Sequence, residues 1–159
     1  VRQVFLMPVA VFDLDGVIFD PSVRKVVYGI VHSVNAERAN ERYELGHYLQ
    51  YDMVIDGALE CVLHYEREGY QIAYLSGRRK SATTATIEAL TKAGFPVKSR
   101  NLHLKPKKSD CTIEFKQKVL SSYVGDFKEV IFFDDTDSNR AVGDNLGIPT
   151  FAKCIVPNV

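Results

Sequence analysis

Apolar runs suited to buried strands alternate along this chain with stretches of helical periodicity. The runs at 8–12 and 130–133 are unbroken, which is typical of strands buried on both faces of a sheet. Shorter runs at 71–75, 101–104 and 149–152 predict three more strands. The stretches between them repeat apolar residues every three or four positions, as helices do. This order predicts an α/β fold, a Rossmann-like three-layer sandwich with a mainly parallel sheet.

The stretch at about 20–56 interrupts this alternation, and we interpret it as a small helical excursion over the surface. Its first half predicts a helix whose apolar stripe packs against the domain: Val23, Val26, Val27, Ile30, Val31 and Val34. Its second half interleaves cations with aromatic rings: Arg38, Arg42, Tyr43, Tyr48 and Tyr51. Such side chains can stack bases and grip phosphates. The alternative is a surface helix with partly buried tyrosines.

Length, net charge and cysteine content limit the kinds of protein that this chain can be. The length of 159 residues favours a single domain over 1–159, and equal numbers of acidic and basic residues leave no global field that would attract nucleic acid or membrane. No apolar run is long enough to span a bilayer. Cys61, Cys111 and Cys154 are odd in number and widely spaced, which argues against a disulfide framework and against a zinc site. We therefore expect a reducing, cytoplasmic compartment, with Cys61 as a small core residue.

Polar clusters follow three of the predicted strands at the point where each strand ends. Asp13 and Asp15 follow the first strand, the triplet 76–78 follows the second, and Asp134 and Asp135 follow the fourth. Ligands of such sheets bind beyond the carboxyl ends of the strands, so these clusters are expected to share one crevice. There, one of the first two carboxylates could attack an electrophile while the other transfers a proton. A turn or capping role is the alternative for that pair.

The acidic residues also indicate a metal. Asp134 and Asp135 would repel each other at a buried strand end unless a cation or hydrogen bonds offset their charge. With Asp13, and with Asp137 nearby, they form an all-oxygen ligand set that favours Mg²⁺ over zinc or copper. A solvated acidic loop is the alternative.

Lys116 is the candidate for a fixed cation at a phosphate site. It shares one helical stripe with Ile113 and Leu120, so it is predicted to point inward, where it needs an anionic partner. Other lysines compete for the role, and a solvated side chain is the alternative for each: Lys105, Lys107, Lys108 and Lys118.

Together these segments resemble the four ordered motifs of the haloacid dehalogenase superfamily. The segments are FDLDGV at 12–17, LSGR at 75–78, Lys116, and FDD at 133–135. The resemblance extends over most of the chain, from about 8 to 152. An acid at position 15 is the feature that separates the phosphatases of that superfamily from its dehalogenases.

The resemblance implies a role for each catalytic residue. Asp13 would be the nucleophile that accepts the phosphoryl group. Asp15 would protonate the leaving oxygen and then activate the water that hydrolyses the phospho-aspartate. Ser76 would hydrogen-bond the transferring phosphate, and Lys116 would balance charge between that phosphate and Asp13.

The resemblance also implies a magnesium site. Asp13, Asp134 and the backbone carbonyl of Asp15 would be ligands of Mg²⁺, and Asp135 would orient either the water shell of the metal or Lys116.

Within the superfamily, the triplet SGR and the segment LHLKP at 102–106 resemble the 3′-phosphatase domain of polynucleotide kinases and related phage-type phosphatases. This implies substrate binding by Gly77, Arg78 and Lys105. Lys105 stands where those relatives usually have arginine, so the charge is kept and the bidentate geometry is lost.

In the superfamily that this chain resembles, a cap domain inserted after the first motif often covers the site. The length of that insertion therefore bears on which substrates can enter. The stretch between Gly16 and Ala58 is too short for a large lid. An open crevice of this kind favours nucleic-acid 3′-phosphate ends or nucleotides. A phosphatase for a small sugar or metabolite phosphate is the second hypothesis, and a non-catalytic binding protein is the third. No obligate protein partner is indicated.

Overall fold

The computed structural model describes residues 7–154 and 156. The remaining positions of the predicted domain 1–159, at both ends and at 155, lie outside the described residues. The strands are β1 Pro8–Phe12, β2 Phe19–Asp20, β3 Met53–Val54, β4 Gln71–Arg79, β5 Leu102–Lys105, β6 Glu129–Phe133 and β7 Thr150–Phe151. The helices are α1 Ser22–Val34, α2 Ala36–Glu44, α3 Ala58–Arg67, α4 Thr83–Lys92, α5 Thr112–Asp126 and α6 Asp137–Asn145.

Five strands form one parallel sheet in the order β5-β4-β1-β6-β7, which confirms the predicted α/β fold. The chain first builds outward from β1 through β4 to β5, and then crosses back to place β6 on the other side of β1. The topological switch point therefore lies at β1, and the loops after β1, β4 and β6 leave the sheet side by side.

Each face of the sheet has its own hydrophobic core, because neighbouring strand residues point to opposite faces. On one face, Phe12 stacks on Phe133 with 4.7 Å between ring centroids, and Cys61 and Val62 of α3 pack in the same cluster. On the other face, Leu120 of α5 packs against the sheet together with side chains of β1, β4 and β6. Burial on both faces accounts for the unbroken apolar runs of β1 and β6.

Strand β4 is longer than the sequence predicts, because it continues from Leu75 through the polar triplet to Arg79. Its pairing with β5 shifts register between Ser76 and Arg79, as at a β-bulge. Bulges bend a strand and redirect its side chains. The triplet therefore stands on the irregular end of a strand and not in a separate loop.

The stretch 20–56 forms a small helical cap, but the prediction that the stripe of α1 packs inward is wrong for most of its residues. Val23, Val26, Ile30 and Val34 are exposed, and the buried side chain of α1 is Arg24. Arg24 forms ion pairs with Asp15 and Asp52 on the side of the domain, so charge pairing and not apolar burial decides which face of α1 turns inward. The antiparallel pair β2–β3 joins the two ends of this cap.

The structure contains one disulfide, which contradicts the cysteine pattern expected for a reducing compartment, although Cys61 lies in the core as predicted. Cys61 on α3 is bonded to Cys154, which follows β7, while Cys111 is free and exposed. The two positions are 93 residues apart, and their closeness follows only from the packing of α3 against the sheet. The prediction of a cytoplasmic location loses the argument on which it rested. Among the described helices, none has the length and apolar character needed to cross a bilayer.

The disulfide predicts a redox-dependent stability. We expect Cys61→Ala/Cys154→Ala to lower the free energy of unfolding by about 2–5 kcal/mol, because the bond closes a long loop in the unfolded chain. For a domain of this size the melting temperature should fall by roughly 5–15 °C, measured by circular dichroism. Reductant should lower the melting temperature of the wild type and not that of the double variant, and Cys111→Ser serves as the control. Equal melting temperatures for the wild type and the double variant would contradict the bond.

Candidate active site

The acids that follow β1 and β6 lie side by side. The backbone N–H of Asp13 donates to the carbonyl of Phe133 at 2.9 Å, which continues the β1–β6 ladder to the residue before Asp134. Both carboxylates are buried, and Asp13 lines an open crevice of about 450 Å³ together with Ser76 on β4. The predicted convergence of three strand ends is therefore found in the structure.

Lys116 is the buried cation at this junction. Its Nζ lies 2.7 Å from Oδ2 of Asp134 and 3.2 Å from Oδ1 of Asp13, and its side chain is almost fully buried. The inward direction that its stripe on α5 predicts is thus correct. Burial raises the pKa of Asp13 and Lys116 opposes the rise, while the charge of Asp134 adds to it. One ammonium group is shared by two carboxylates, so it cannot neutralise both of them if both are ionised. A further cation would then be favoured at this site.

Carboxylate oxygens of Asp13, Asp134 and Asp135 lie within 4.8 Å of one another. Asp134 is held by the backbone N–H of Thr136, which donates to its Oδ1 at 3.0 Å. An all-oxygen set of this size fits Mg²⁺, which prefers hard ligands and keeps several of its waters. Asp135, predicted to act behind the direct ligands, has a carboxylate within this group.

The absence of a side chain at Gly16 leaves space for the carboxylate of Asp135. Its φ is +91°, and a Cβ at this position would lie 2.1 Å from Oδ2 of Asp135. Any other residue would therefore suffer both an unfavourable backbone conformation and a collision with that carboxylate. The glycine of the sequence FDLDGV is a packing requirement of the acidic cluster as well as a turn residue.

Asp15 lines the same crevice as Asp13 and joins a network of charges with the cap. Its Oδ1 lies 2.7 Å from Nη2 of Arg78 and 2.9 Å from Nη2 of Arg24. Asp52 completes the network, because its two oxygens lie 3.0 Å from Arg78 and 3.1 Å from Nε of Arg24. Two arginines and two aspartates thus neutralise one another between β4 and the cap.

The network has opposite effects on its two acids. Burial alone would raise the pKa of Asp15, but Arg78 and Arg24 outweigh it and hold this pKa below its ordinary value. For Asp52 the effect of burial outweighs that of the same two arginines, and its pKa is raised to about 6. Asp15 is therefore ionised at neutral pH while its arginine partners stay in place.

Gly77 and Thr112 form one wall of the crevice, and Lys105 contacts Thr112 from behind. A Cβ on Gly77 would lie 3.2 Å from Cγ2 of Thr112, so a larger residue would push that side chain away. The Nζ of Lys105 is buried and donates to Oγ1 of Thr112 at 3.3 Å. Ser76 Oγ accepts from the backbone N–H of Arg78 at 3.1 Å. Gly77, Ser76 and Thr112 line the crevice directly, and Lys105 lies behind Thr112.

Sequence reasoning missed Arg24, Asp52 and Thr112. The sequence has no local signal for Arg24, because a cation beside an apolar helical stripe is typical of a solvent-exposed face. Asp52 has no such signal, since a single acid between a tyrosine and a methionine is typical of any surface loop.

Comparisons with known proteins are consistent with this geometry. Residues 6–146 match the family model described as haloacid dehalogenase superfamily, subfamily IIIB (acid phosphatase). No curated protein sequence matched the chain significantly.

Several solved structures share the fold. A class C acid phosphatase from Bacillus anthracis with tungstate bound is 21% identical, with a TM-score of 0.65, over 99% of this chain and 69% of that one. A structure of a Pnkp1/Rnl/Hen1 complex is 19% identical, with a TM-score of 0.67, over 97% of this chain. The match spans only 47% of that chain. A haloacid dehalogenase-like hydrolase from Streptococcus pneumoniae is 11% identical, with a TM-score of 0.61, over 91% of this chain and 83% of that one.

Proposed function

Because the chain belongs to the haloacid dehalogenase superfamily, subfamily IIIB (acid phosphatase), and is a phosphoric monoester hydrolase, we propose that it uses Mg²⁺ and a phospho-aspartate at Asp13. Its proposed substrates are nucleic-acid 3′-phosphate ends or nucleotides. Family membership sets aside the hypothesis of a non-catalytic binding protein. The observation that carries the mechanism is the grouping of Asp13, Lys116 and Asp134 at the carboxyl ends of β1 and β6.

Mg²⁺ would be held by Asp13 and Asp134, with Asp135 in or next to its ligand shell and the carbonyl of Asp15 as a further ligand. When bound, it would supply positive charge to the phosphate oxygens. Lys116 lies within 3.2 Å of Asp13 and would supply the second positive charge beside the reacting carboxylate. Together they would offset the repulsion between the carboxylate and an anionic phosphate.

In the first step, an oxygen of Asp13 bonds to phosphorus as the bond from phosphorus to the ester oxygen breaks. Asp15, in its protonated form, gives its proton to that ester oxygen, which leaves as an alcohol. In the second step, Asp15 takes a proton from water as the water attacks phosphorus, so Asp13 and inorganic phosphate are released. Ser76 and the backbone of Gly77 would hold the phosphate oxygens.

The arginines beside Asp15 must release it for this role, because they favour its ionised form. An anionic phosphate near Arg78 would compete with Asp15 for the guanidinium group. Each contact that moves from Asp15 to the phosphate raises the proton affinity of Asp15. Arg78 would thus both bind the substrate phosphate and allow Asp15 to act as the acid. Lys105 would act through Thr112, to which it donates.

The substrate proposal depends on the open crevice. The cap is limited to α1, α2 and the segment up to β3, and the crevice beside it stays open. An open crevice can admit a bulky ester. The cap adds Tyr43 to the wall of the neighbouring cavity, together with Glu44 and Arg79. A small sugar or metabolite phosphate is the second candidate, because a further cavity beside Asp15 has room for one ring.

We expect a chelator to reduce hydrolysis of phenyl phosphate by about 10²-fold or more, and added Mg²⁺ to restore it, because the acidic cluster needs a cation to accept a phosphate. Asp134→Asn should raise the Mg²⁺ concentration for half-maximal rate by about 10-fold. The matched control is Asp137→Asn, since Asp137 is exposed and pairs with Arg140. Full turnover in chelator would refute the metal proposal.

A further inference from the structure

A second cavity, of about 120 Å³, lies next to the reaction crevice on the side of the cap. The two share the wall formed by Asp15, Gly77 and Arg78. The other walls are formed by the cap and by the end of β4: Arg24, Tyr43, Glu44, Tyr48, Leu49 and Arg79. We refer to it below as the cap cavity.

Tyr48 is a wall residue of the cap cavity, and no described residue is a hydrogen-bond partner of its hydroxyl. The residue is only 4% exposed, and its Oη is buried without a hydrogen-bond partner in the described part of the chain. Burial of a hydroxyl without a hydrogen-bond partner is unfavourable, so a bound group that accepts from it would be stabilised. Nε of Arg79 is also buried and makes no aligned hydrogen bond, although Glu44 lies 3.4 Å away. Both groups are donors, so the cavity is suited to a molecule that carries acceptor oxygens.

The size of the cap cavity limits what can enter. Ligand pockets for drug-sized molecules usually measure about 300–1,000 Å³, and 120 Å³ is well below that range. One saturated ring fits, whereas a base and a sugar together do not. The walls combine the apolar Leu49 and Ala82 with the ring of Tyr43, which suits the C–H faces of such a ring.

We propose that the cap cavity binds the sugar ring that carries the scissile phosphate, with Tyr48 and Arg79 hydrogen-bonded to its hydroxyl or ring oxygens. This inference rests on the proposed function. In the proposed reaction Asp15 gives its proton to the ester oxygen, so the leaving alcohol must lie on the side of Asp15. The cap cavity is on that side, because Asp15 lines both this cavity and the reaction crevice. A base attached to the sugar would then extend beyond the cavity, past Tyr43.

Sugar phosphates and nucleotides both contain such a ring. Rates on a set of substrates would show which of the two classes the enzyme prefers. Steady-state rates would be measured with Mg²⁺ for ribose 5-phosphate, a nucleoside 5′-monophosphate, a 3′-phosphorylated dinucleotide and phenyl phosphate. We expect Tyr48→Phe to lower kcat/KM about 5–10-fold for every sugar-bearing ester the wild type hydrolyses, which corresponds to one hydrogen bond. Phenyl phosphate has no sugar hydroxyl, and its kcat/KM should change by less than about 2-fold.

Tyr51→Phe is the matched control, because Tyr51 lies in the same short turn and is exposed. Arg79→Met is the second variant and should show the same selective loss. Melting temperatures close to that of the wild type would exclude general unfolding as the cause. An equal loss on phenyl phosphate, or no loss on any sugar-bearing ester, would overturn the proposal.

A binding measurement separates this proposal from the proposed function. Calorimetry on Asp13→Asn would compare ribose 5-phosphate with inorganic phosphate. We expect the sugar phosphate to bind about 5-fold tighter or more, and this advantage to disappear in Asp13→Asn/Tyr48→Phe. A wild-type enzyme that hydrolyses none of the esters but shows this binding pattern would refute the proposed function alone. Equal binding of the two ligands would refute the sugar subsite.

Discussion

Asp13→Asn is expected to lower the turnover of any phosphate monoester by about 10³-fold or more, with the fold intact. The amide keeps the shape of the carboxylate but cannot attack phosphorus. The folded state should persist because Asp134 still holds Lys116, at 2.7 Å. Burial disfavours the charge of Asp13, so its removal relieves a cost that partly offsets the lost contact with Lys116.

The test combines initial rates with a chemical trap. Rates on phenyl phosphate and melting temperatures would be compared for the wild type, Asp13→Asn and Asp126→Asn, a substitution at an exposed acid at the end of α5. Borohydride added during turnover should reduce an acyl phosphate at residue 13 to homoserine, detected by peptide mass. A normal rate in Asp13→Asn, or the trapped residue at another position, would contradict covalent catalysis at Asp13.

Lys116→Met is expected to affect both stability and catalysis. It removes the cation shared by Asp13 and Asp134 and leaves two buried carboxylates without it. Breaking a buried pair in this way costs about 3–5 kcal/mol, or roughly 10 °C in melting temperature for a domain of this size. The rate should fall about 10²-fold or more, because a fixed positive charge beside the phosphate is lost.

The stability loss should depend on pH and on metal. Burial and the charge of Asp134 raise the pKa of Asp13, and the variant lacks the ammonium group that opposes this rise. The neutral form of Asp13 therefore stabilises the folded state at low pH, and this contribution is lost as pH rises. The difference from the wild type in chelator should therefore be larger at pH 8 than at pH 5. Mg²⁺ should shrink it, because a bound cation takes over part of the neutralisation. Lys118→Met, at an exposed position of the same helix, is the control. Similar melting temperatures for the two variants would show that the contacts of Lys116 stabilise nothing.

The chemistry at the strand ends could be predicted from the sequence because it depends on local patterns. Two unbroken apolar runs identify β1 and β6, and in a parallel sheet this places Asp13 near Asp134. The stripe of α5 gave the direction of Lys116 by the same local logic. These inferences need only the periodicity of one element and the general geometry of parallel sheets.

Features that depend on pairing between distant segments could not be predicted. The valines of α1 resemble a core-facing stripe, and they are exposed because Arg24 finds its partners on the other side of the helix. Those partners lie in separate parts of the chain. The bond between Cys61 and Cys154 joins positions 93 residues apart, a distance at which spacing carries no information. Charge pairs and disulfides are specified by the folded arrangement, and three isolated cysteines do not reveal it.

The charge network between the cap and β4 bears on how such enzymes could be engineered. A modular view would treat the cap as an exchangeable part that changes substrate choice while the strand ends keep the reaction. Here Arg24 and Asp52 belong to the cap, yet they are bonded to Asp15 and Arg78. A graft from a relative would leave Asp15 with a different proton affinity and Arg78 with one carboxylate fewer. A functional chimera would therefore have to carry an equivalent arginine and acid with the transplanted segment.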